Sequence, residues 1–323
     1  MKNLILLLVL ISCASPVKKT IIAHRGAPGY LPEHSLAGVA MAHSFNIDFI
    51  EPDLVLTKDE RVVVLHDIHI DTTTNVSDIY PNRARKDGRF YAIDFKLSEL
   101  KKLNLNERIN LKTGKRVFPK RYPLKKTSFK IPTFNQFIEL VQGLNQSRGK
   151  NIGIYPEIKN PEFHKGEGKD ITKAVFKILN QYGYNRKEAN IFVQCFYPPT
   201  LIRLRREFKA KFPIVQLIAE NSWKESSTDY TAMQTKKGLS KIAPYIQGIG
   251  PYISQLYSLE KGKIKKTKLV DFAHELGLKV HPYTHRSDFL PQGFKSEKEL
   301  LNFLFNDLNV DGVFSDFGDR IRY

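Results

Sequence analysis

Residues Ile21–Ser35 read IIAHRGAPGYLPEHS, and residues Asp48–Asp67 read DFIEPDLVLTKDERVVVLHD. Short β-type apolar runs fill these stretches, and each meets reactive polar side chains. His24 and Arg25 follow the first run, Glu51 and Asp53 interrupt the second, and His66 ends the third. Apolar runs of this kind, bounded by turn residues, mark buried strands. Such strands end together at a barrel mouth or sheet edge, so their terminal polar residues are expected to converge. Two carboxylates suit a hard divalent cation, two imidazoles suit general acid and base work, and Arg25 suits an anion. The combination reads as metal-assisted attack on a phosphate ester.

The same type of run recurs along the chain: TIIAH, DFIEPDLV, NIGIYPEI, NIFVQCF, PIVQLIA, YIQGIG, LKVHPYT and DGVFSDF. Helical patterns fall near Glu33–Ser44, Phe134–Leu144, Asp170–Tyr182, Pro199–Lys209, Thr267–Leu276 and Glu297–Asp307. Strands alternating with helices imply parallel βαβ units, and eight such strands imply an α/β fold of the TIM (β/α)8 barrel type. An open doubly wound sheet is the competing architecture. Polar residues at the C-terminal ends of nearly all the runs favour the barrel.

RVVVLHD is a ninth run, separated from the second by only TKDE, far too little for a parallel crossover. It is expected to return as a hairpin arm. With Asp59-Glu60 as a two-residue loop, Asp53 pairs with His66 and Glu51 shares their face; a three-residue loop would turn His66 away. Residues 68–130 then break the strand–helix rhythm with charge and turn residues. An excursion of this length after the second barrel strand is expected to be a lid, a small inserted subdomain or disorder, and its position would hang it over the mouth.

The first residues stand outside this pattern. Met1-Lys2-Asn3 precedes LILLLVLIS, too short to span a membrane as a mature helix, and residues 1–12 read as a signal peptide. Leu10-Ile11-Ser12-Cys13 has the form of a bacterial lipobox, so Cys13 is the expected lipidation site and 13–19 a tether to a domain over 20–323. A plain secretory signal is the alternative. Lipidation implies a cell-envelope protein, periplasmic or surface-facing, that touches membrane through its anchor only. It leaves Cys195 without a partner, and a lone cysteine of this kind is expected as a small core residue.

The chain has 51 Lys and Arg against 33 Asp and Glu, a net charge of +18. That admits nucleic acid, anionic membrane or phosphorylated small molecules as partners. Neither zinc-ligand spacing nor an aromatic RNA-binding signature is present, so no nucleic-acid partner is expected. Most lysines are scattered and read as a solvated surface.

Further chemistry lies at Tyr155-Pro156-Glu157-Ile158-Lys159. Residues two apart on a strand point the same way, so Glu157 can complete a carboxylate set with Glu51 and Asp53 while Lys159 approaches an anion. Oxygen-only ligation favours Mg²⁺ or Ca²⁺ over zinc. His24 and His66 form the acid–base pair. Glu33 and His34 are expected to orient His24, His281 to line the pocket, and His43 to pack or face solvent.

HRG, EPD, HD and PEIK in this order, supported by RARKDGRFYAIDF, VQCF, VQLIA, GIGP, HPYTHRSD and DGVFSDF, resemble the glycerophosphodiester phosphodiesterases. The resemblance runs from about Ile21 to Phe317 and is closest to the periplasmic bacterial branch. It implies a TIM barrel with a small insertion and hydrolysis of diesters such as glycerophosphocholine and glycerophosphoethanolamine to sn-glycerol 3-phosphate and an alcohol. It implies one divalent cation, calcium ahead of magnesium, on Glu51, Asp53 and Glu157. His24 would be the base and His66 the acid, Arg25 and Lys159 would hold the phosphate, and Gln194 and Tyr283 would line the pocket. Tyr197 stands where relatives carry an acid, and the loop after Ile249-Gly250-Pro251 is short. Two competing readings are a surface lipoprotein that binds a host protein, and a related barrel cleaving lysophospholipid or sphingomyelin.

Overall fold

The computed structural model describes residues 18–126 and 128–321. The expected signal peptide over 1–12 and Cys13 with its lipid therefore lie outside the described residues.

All eight apolar runs form parallel strands. They are β1 (Thr20–Ala23), β2 (Phe49–Ile50 and Asp53–Leu56), β3 (Gly153–Ile154 and Glu157–Ile158), β4 (Val193–Cys195), β5 (Ile214–Ile218), β6 (Gly248–Pro251), β7 (Lys279–Val280) and β8 (Gly312–Ser315). Breaks in β2 and β3 fall at Pro52 and Pro156, which have no N–H to give to a ladder. Each strand pairs with its sequence neighbour, and β8 returns to β1 with Thr20 beside Gly312. Between β7 and β8 the Asp311 N–H donates to the Val280 carbonyl at 2.9 Å and the Phe314 N–H to that of Pro282 at 3.0 Å. The sheet closes into a barrel, not an open doubly wound sheet.

The helices sit where their patterns place them, and local caps explain their starts. Ser35 caps Leu36–Ser44, Thr133 with Gln136 forms a capping box on Phe134–Arg148, and Asp170 caps Ile171–Gln181. Pro198–Arg206, Leu269–Glu275 and Glu297–Asn302 follow β4, β6 and β7. Short helices over Tyr230–Met233 and Lys236–Ile242, and a hairpin of Tyr257–Glu260 with Lys263–Lys266, lack a sequence signal strong enough to anticipate. The apolar faces of strands and helices merge into one continuous core.

Inside the barrel a second, smaller cluster of Ile22, Phe49, Tyr155, Val215 and Phe314 forms a floor. Strand side chains repeat every second residue. Two positions further along their strands, the floor residues Ile22, Phe49 and Tyr155 give way to His24, Glu51 and Glu157. The barrel thus presents its polar residues as one layer on an aromatic and aliphatic base.

The hairpin after β2 differs from expectation in register. Leu54 pairs with Val64 and Leu56 with Val62, so the loop has three residues, Lys58 to Glu60, with Glu60 in left-handed backbone at φ 58°. Leu65, not His66, lies across from Asp53, its N–H donating to the Asp53 carbonyl at 3.0 Å. Strict alternation would carry His66 to the side of Val62 and Val64, which pack into the main core. His66 escapes that face because the return arm stops at Val64 and the chain bends over residues 66–68.

Val55, Val63 and Leu65 continue above the rim and pack on Ile70, Val76, Phe90, Phe95, Leu100, Leu103 and Leu105. Residues after the return arm thus build a separate small core seated on the hairpin. Phe95 is fully buried there, with the Arg83 guanidinium 4.4 Å from its ring centre. Phe95→Ala should cost about 3–5 kcal/mol of stability, read as a lower denaturant midpoint in equilibrium unfolding.

Candidate active site

The register of the barrel brings distant acids side by side. Asp53 pairs with Glu157, and Glu157 with Gln194, so one rung carries all three. Glu51 precedes Asp53 by two residues and faces the same way. One carboxylate oxygen each from Glu51, Asp53 and Glu157 lie within 4.8 Å of one another, and all three residues are buried.

Their charge cannot be left to itself. Burial first, and then the Asp53 and Glu157 carboxylates, push Glu51 well above the usual carboxylate range; Arg25 opposes. Burial also pushes Glu157 well up, against the pull of Lys159. Burial would raise Asp53 too, but the His34 hydrogen bond, Arg25 and Lys159 hold it well below. Lys159 Nζ reaches Glu157 Oε1 at 2.7 Å in an off-axis ion pair that leaves this buried oxygen without a well-directed donor. Three buried oxygen ligands, two of them favouring a proton, and an oxygen lacking a donor fit a hard divalent cation.

Backbone conformation sets the neighbouring cation. Arg25 and Gly26 take left-handed φ values of 54° and 87°. This turn directs the Arg25 N–H to Glu51 Oε2 at 2.8 Å. The Arg25 guanidinium lies 3.3 Å from Asp53 and 3.2 Å from Glu33. At Gly26 a Cβ would stand 3.1 Å from the Gly38 and Val39 backbone, so the glycine permits both the turn and the close helix.

The two imidazoles are held alike. His24 Nδ1 lies 2.6 Å from Asp316 Oδ1, and His66 Nδ1 lies 2.5 Å from Asp67 Oδ1. A carboxylate accepts only, so each Nδ1 carries the proton and each Nε2 is left as acceptor. Burial, then Arg25, lowers His24 to about 4 despite Asp316. Burial, Arg25 and Lys159 lower His66 as well, against Asp53 and Asp67. Both rings are therefore neutral near pH 7 before substrate arrives. Lys159 Nζ stands 3.4 Å from His66 Nε2.

Arg108 reaches Asp67 at 2.5 Å and Glu33 at 2.7 Å. Arg121 reaches Asp316 at 2.7 Å and Asp288 at 2.9 Å. Each carboxylate that fixes a histidine is itself gripped by an arginine of the inserted segment.

A cavity of about 320 Å³ is lined by His24, Arg25, Glu51, His66, Glu157, Gln194 and Tyr283, with Phe196, Trp223, Glu225, Tyr252 and Arg286 completing the wall. Asp53 and Lys159 are buried beside the lining residue Glu157. The residues that the sequence offered for catalysis, metal and substrate thus meet; Cys13 lies outside the described residues. Gln194 is buried with Oε1 unpartnered, and the Tyr283 hydroxyl donates to the Ile218 carbonyl at 2.9 Å.

Glu33, His34 and His281 differ from expectation. His24 is oriented by Asp316 and not by Glu33 or His34; His34 Nε2 binds Asp53 at 2.8 Å, and Glu33 binds the arginines. His281 sits under the cavity, bonded to the Tyr155 hydroxyl at 3.0 Å. Tyr197 lines a neighbouring surface groove. Asp67 and Asp316 stand in HD and DGVFSDF, so a signal for them existed; Arg108, Arg121, Trp223 and Glu225 had none.

The sequence profile of the Glycerophosphoryl diester phosphodiesterase family matches residues 24–320. The chain belongs to this family. Among relatives, the glycerophosphodiester phosphodiesterase of Haemophilus influenzae is 41% identical over 320 residues, covering 93% of this chain and 88% of that protein. That of Treponema pallidum is 34% identical over 327 residues, covering 95% and 91%. A solved structure from Silicibacter pomeroyi superposes with a TM-score of 0.72 at 22% identity, covering 94% of this chain and 91% of its own. An Oleispira antarctica phosphodiesterase solved with the product sn-glycerol-3-phosphate gives 0.62 at 19%, covering 94% of each. These structures establish that the family's barrel is the fold described above.

In this family member Glu107, next to Arg108, is buried with Oε2 unpartnered. Burial, then the nearby Glu33, pushes it up to about 8, with Arg121 opposing. The folded state therefore keeps a proton that the unfolded chain releases. Stability is full below the ordinary value of 4.5 and falls as pH rises through about 8. Glu107→Gln should flatten that decline, raising stability on the order of 2 kcal/mol at the alkaline end and little near the acid end, measured by thermal melts across pH.

Proposed function

We propose that this chain hydrolyses glycerophosphodiesters such as glycerophosphocholine and glycerophosphoethanolamine to sn-glycerol 3-phosphate and an alcohol. The observation that carries the reading is the meeting, in one cavity, of a buried carboxylate trio and two imidazoles whose Nε2 atoms are both left as acceptors. The names of the relatives and the product bound in the Oleispira antarctica enzyme support it. A cavity of about 320 Å³ suits a deacylated diester better than a lipid with its acyl chain.

Glu51, Asp53 and Glu157 would hold one divalent cation, which when bound neutralises charge on a phosphoryl oxygen. Oxygen-only, carboxylate-rich ligation suits calcium or magnesium, and the family resemblance puts calcium ahead. Arg25 and Lys159 hold the phosphate anion. His24, neutral and with Nε2 unprotonated, takes the proton of the attacking glycerol hydroxyl. The bond from phosphorus to the leaving alcohol breaks as His66 supplies its oxygen with a proton. His66 gains that proton when the phosphate arrives, since the added negative charge offsets the Arg25 and Lys159 cations. Water opens the resulting cyclic phosphate with the two rings exchanging roles. Gln194 and Tyr283 shape the wall against the substrate.

For location, we propose an envelope protein anchored through a lipid on Cys13, on the strength of the lipobox. Among the described residues no helix is long and apolar enough to cross a membrane.

His24→Ala and His66→Ala should each lower kcat by about 10³-fold or more while far-UV circular dichroism stays that of the parent. Glycerol 3-phosphate release from glycerophosphocholine should stop with a chelator and return with calcium more fully than with magnesium. Release that persists undiminished in chelator would overturn the metal assignment.

A further inference from the structure

From Arg108 to Ile138 the chain has nine Lys or Arg residues and no Asp or Glu. Arg108 and Arg121 turn inward to the acids already described. Arg116 donates to the Tyr122 carbonyl at 3.2 Å, and Lys130 to Asn104 at 2.7 Å. Lys112, Lys115, Lys120, Lys125 and Lys126 are left exposed, and none enters an ion pair within 4.0 Å among the described residues.

Apolar side chains share this surface. Ile109 bridges Arg116, and the Val117 N–H donates to the Arg108 carbonyl at 2.9 Å, so the segment folds back as a hairpin with Leu111 at its tip. Leu111 is 46% and Val117 45% exposed. Phe289, on the loop after β7, is 66% exposed and meets Phe118 edge-on at 6.4 Å. The ion pair of Arg121 with Asp288 ties that loop to the hairpin. The Phe118 ring centre is 5.6 Å from the guanidinium of Arg286, a wall residue of the cavity. The patch therefore borders the mouth of the active site.

We propose that this face docks on an anionic phospholipid bilayer and lays the cavity mouth against the lipid surface. Exposed apolar residues beside unpaired lysines match an interface that is apolar within and anionic at its headgroups. A polyanion would engage the lysines but leave Leu111, Val117 and Phe289 in water. The inference does not depend on the hydrolytic reading.

The test uses the full chain carrying Cys13→Ser, which removes the expected lipid, and vesicles of phosphatidylcholine with or without about one-third phosphatidylglycerol. Cosedimentation should require phosphatidylglycerol and weaken with salt. Lys112→Glu/Lys115→Glu/Lys120→Glu should lower partition by about tenfold or more, and Leu111→Ser/Phe289→Ser severalfold. Far-UV circular dichroism and the melting temperature should match the parent in both variants, which reports an intact fold. Equal partition to both vesicle types, or no loss in the lysine variant, overturns the proposal. Loss in the lysine variant alone, with the apolar variant binding like the parent, overturns the bilayer in favour of a soluble polyanion.

Discussion

Three carboxylates buried within 4.8 Å of one another are the constraint on which the rest of the site depends. Taking even one carboxylate out of water costs several kcal/mol, and neighbouring like charges add to that. The fold meets the cost with cations fixed by backbone rather than by flexible surface chains. Arg25 is held in a left-handed turn, and Lys159 lies two residues past Glu157 on the same strand. Neither cation forms a complete pair with the trio, since Arg25 also serves Glu33 and Lys159 also faces Glu225 at 3.8 Å. The remaining negative charge would give the site its affinity for a divalent cation. Burial and the neighbouring carboxylates push Glu51 up and burial pushes Glu157 up, while Asp53, which accepts from His34, is held down by Arg25 and Lys159.

The period-two alternation of parallel strands then fixes where that charge sits. Tyr155 and Phe314 fill the barrel, so the next inward positions are forced to the mouth. A polar residue inside the packed layer would lose its solvent partners. One at the rim keeps access to substrate while its back is dry. Pro52 and Pro156 follow Glu51 and precede Glu157, breaking two ladders at the level where the acids approach one another.

This periodicity is also why so much was legible in the sequence. Eight apolar runs ending in polar residues give the barrel, because a parallel strand buried on both faces has little compositional freedom. His24, Glu51, Asp53, Glu157 and Lys159 stand at strand ends or strand breaks, and position along a strand is readable, whereas Gln194 followed from the family resemblance alone. His66 was harder. Its place depends on a hairpin loop of three residues and a bend beyond the strand, and a loop's length is not dictated by the residues it joins. The partner of His24 escaped for a related reason. Glu33 and His34 are near it in sequence, but closure of β8 onto β1 brings Asp316 nearer in space. Trp223, Glu225 and Arg286 come from loops, where no period applies.

The inserted segment has a larger part in the site than its irregular sequence suggests. Arg108 holds the carboxylate that orients His66, and Arg121 holds the one that orients His24. His24 follows barrel strand β1 and His66 lies on the bend beyond the hairpin arm, yet their outer partners converge on one strap of chain. An imidazole whose Nδ1 partner swings free loses both its tautomer and its aim, so fixing Asp67 and Asp316 fixes the direction of two Nε2 atoms. The strap can do this because it rests on its own core of Phe95, Leu100, Leu103 and Leu105, seated on the hairpin that delivers His66. Movement of the insertion relative to the barrel would therefore disturb both imidazoles together. A surface that steadies the insertion from outside would act on the same two carboxylates.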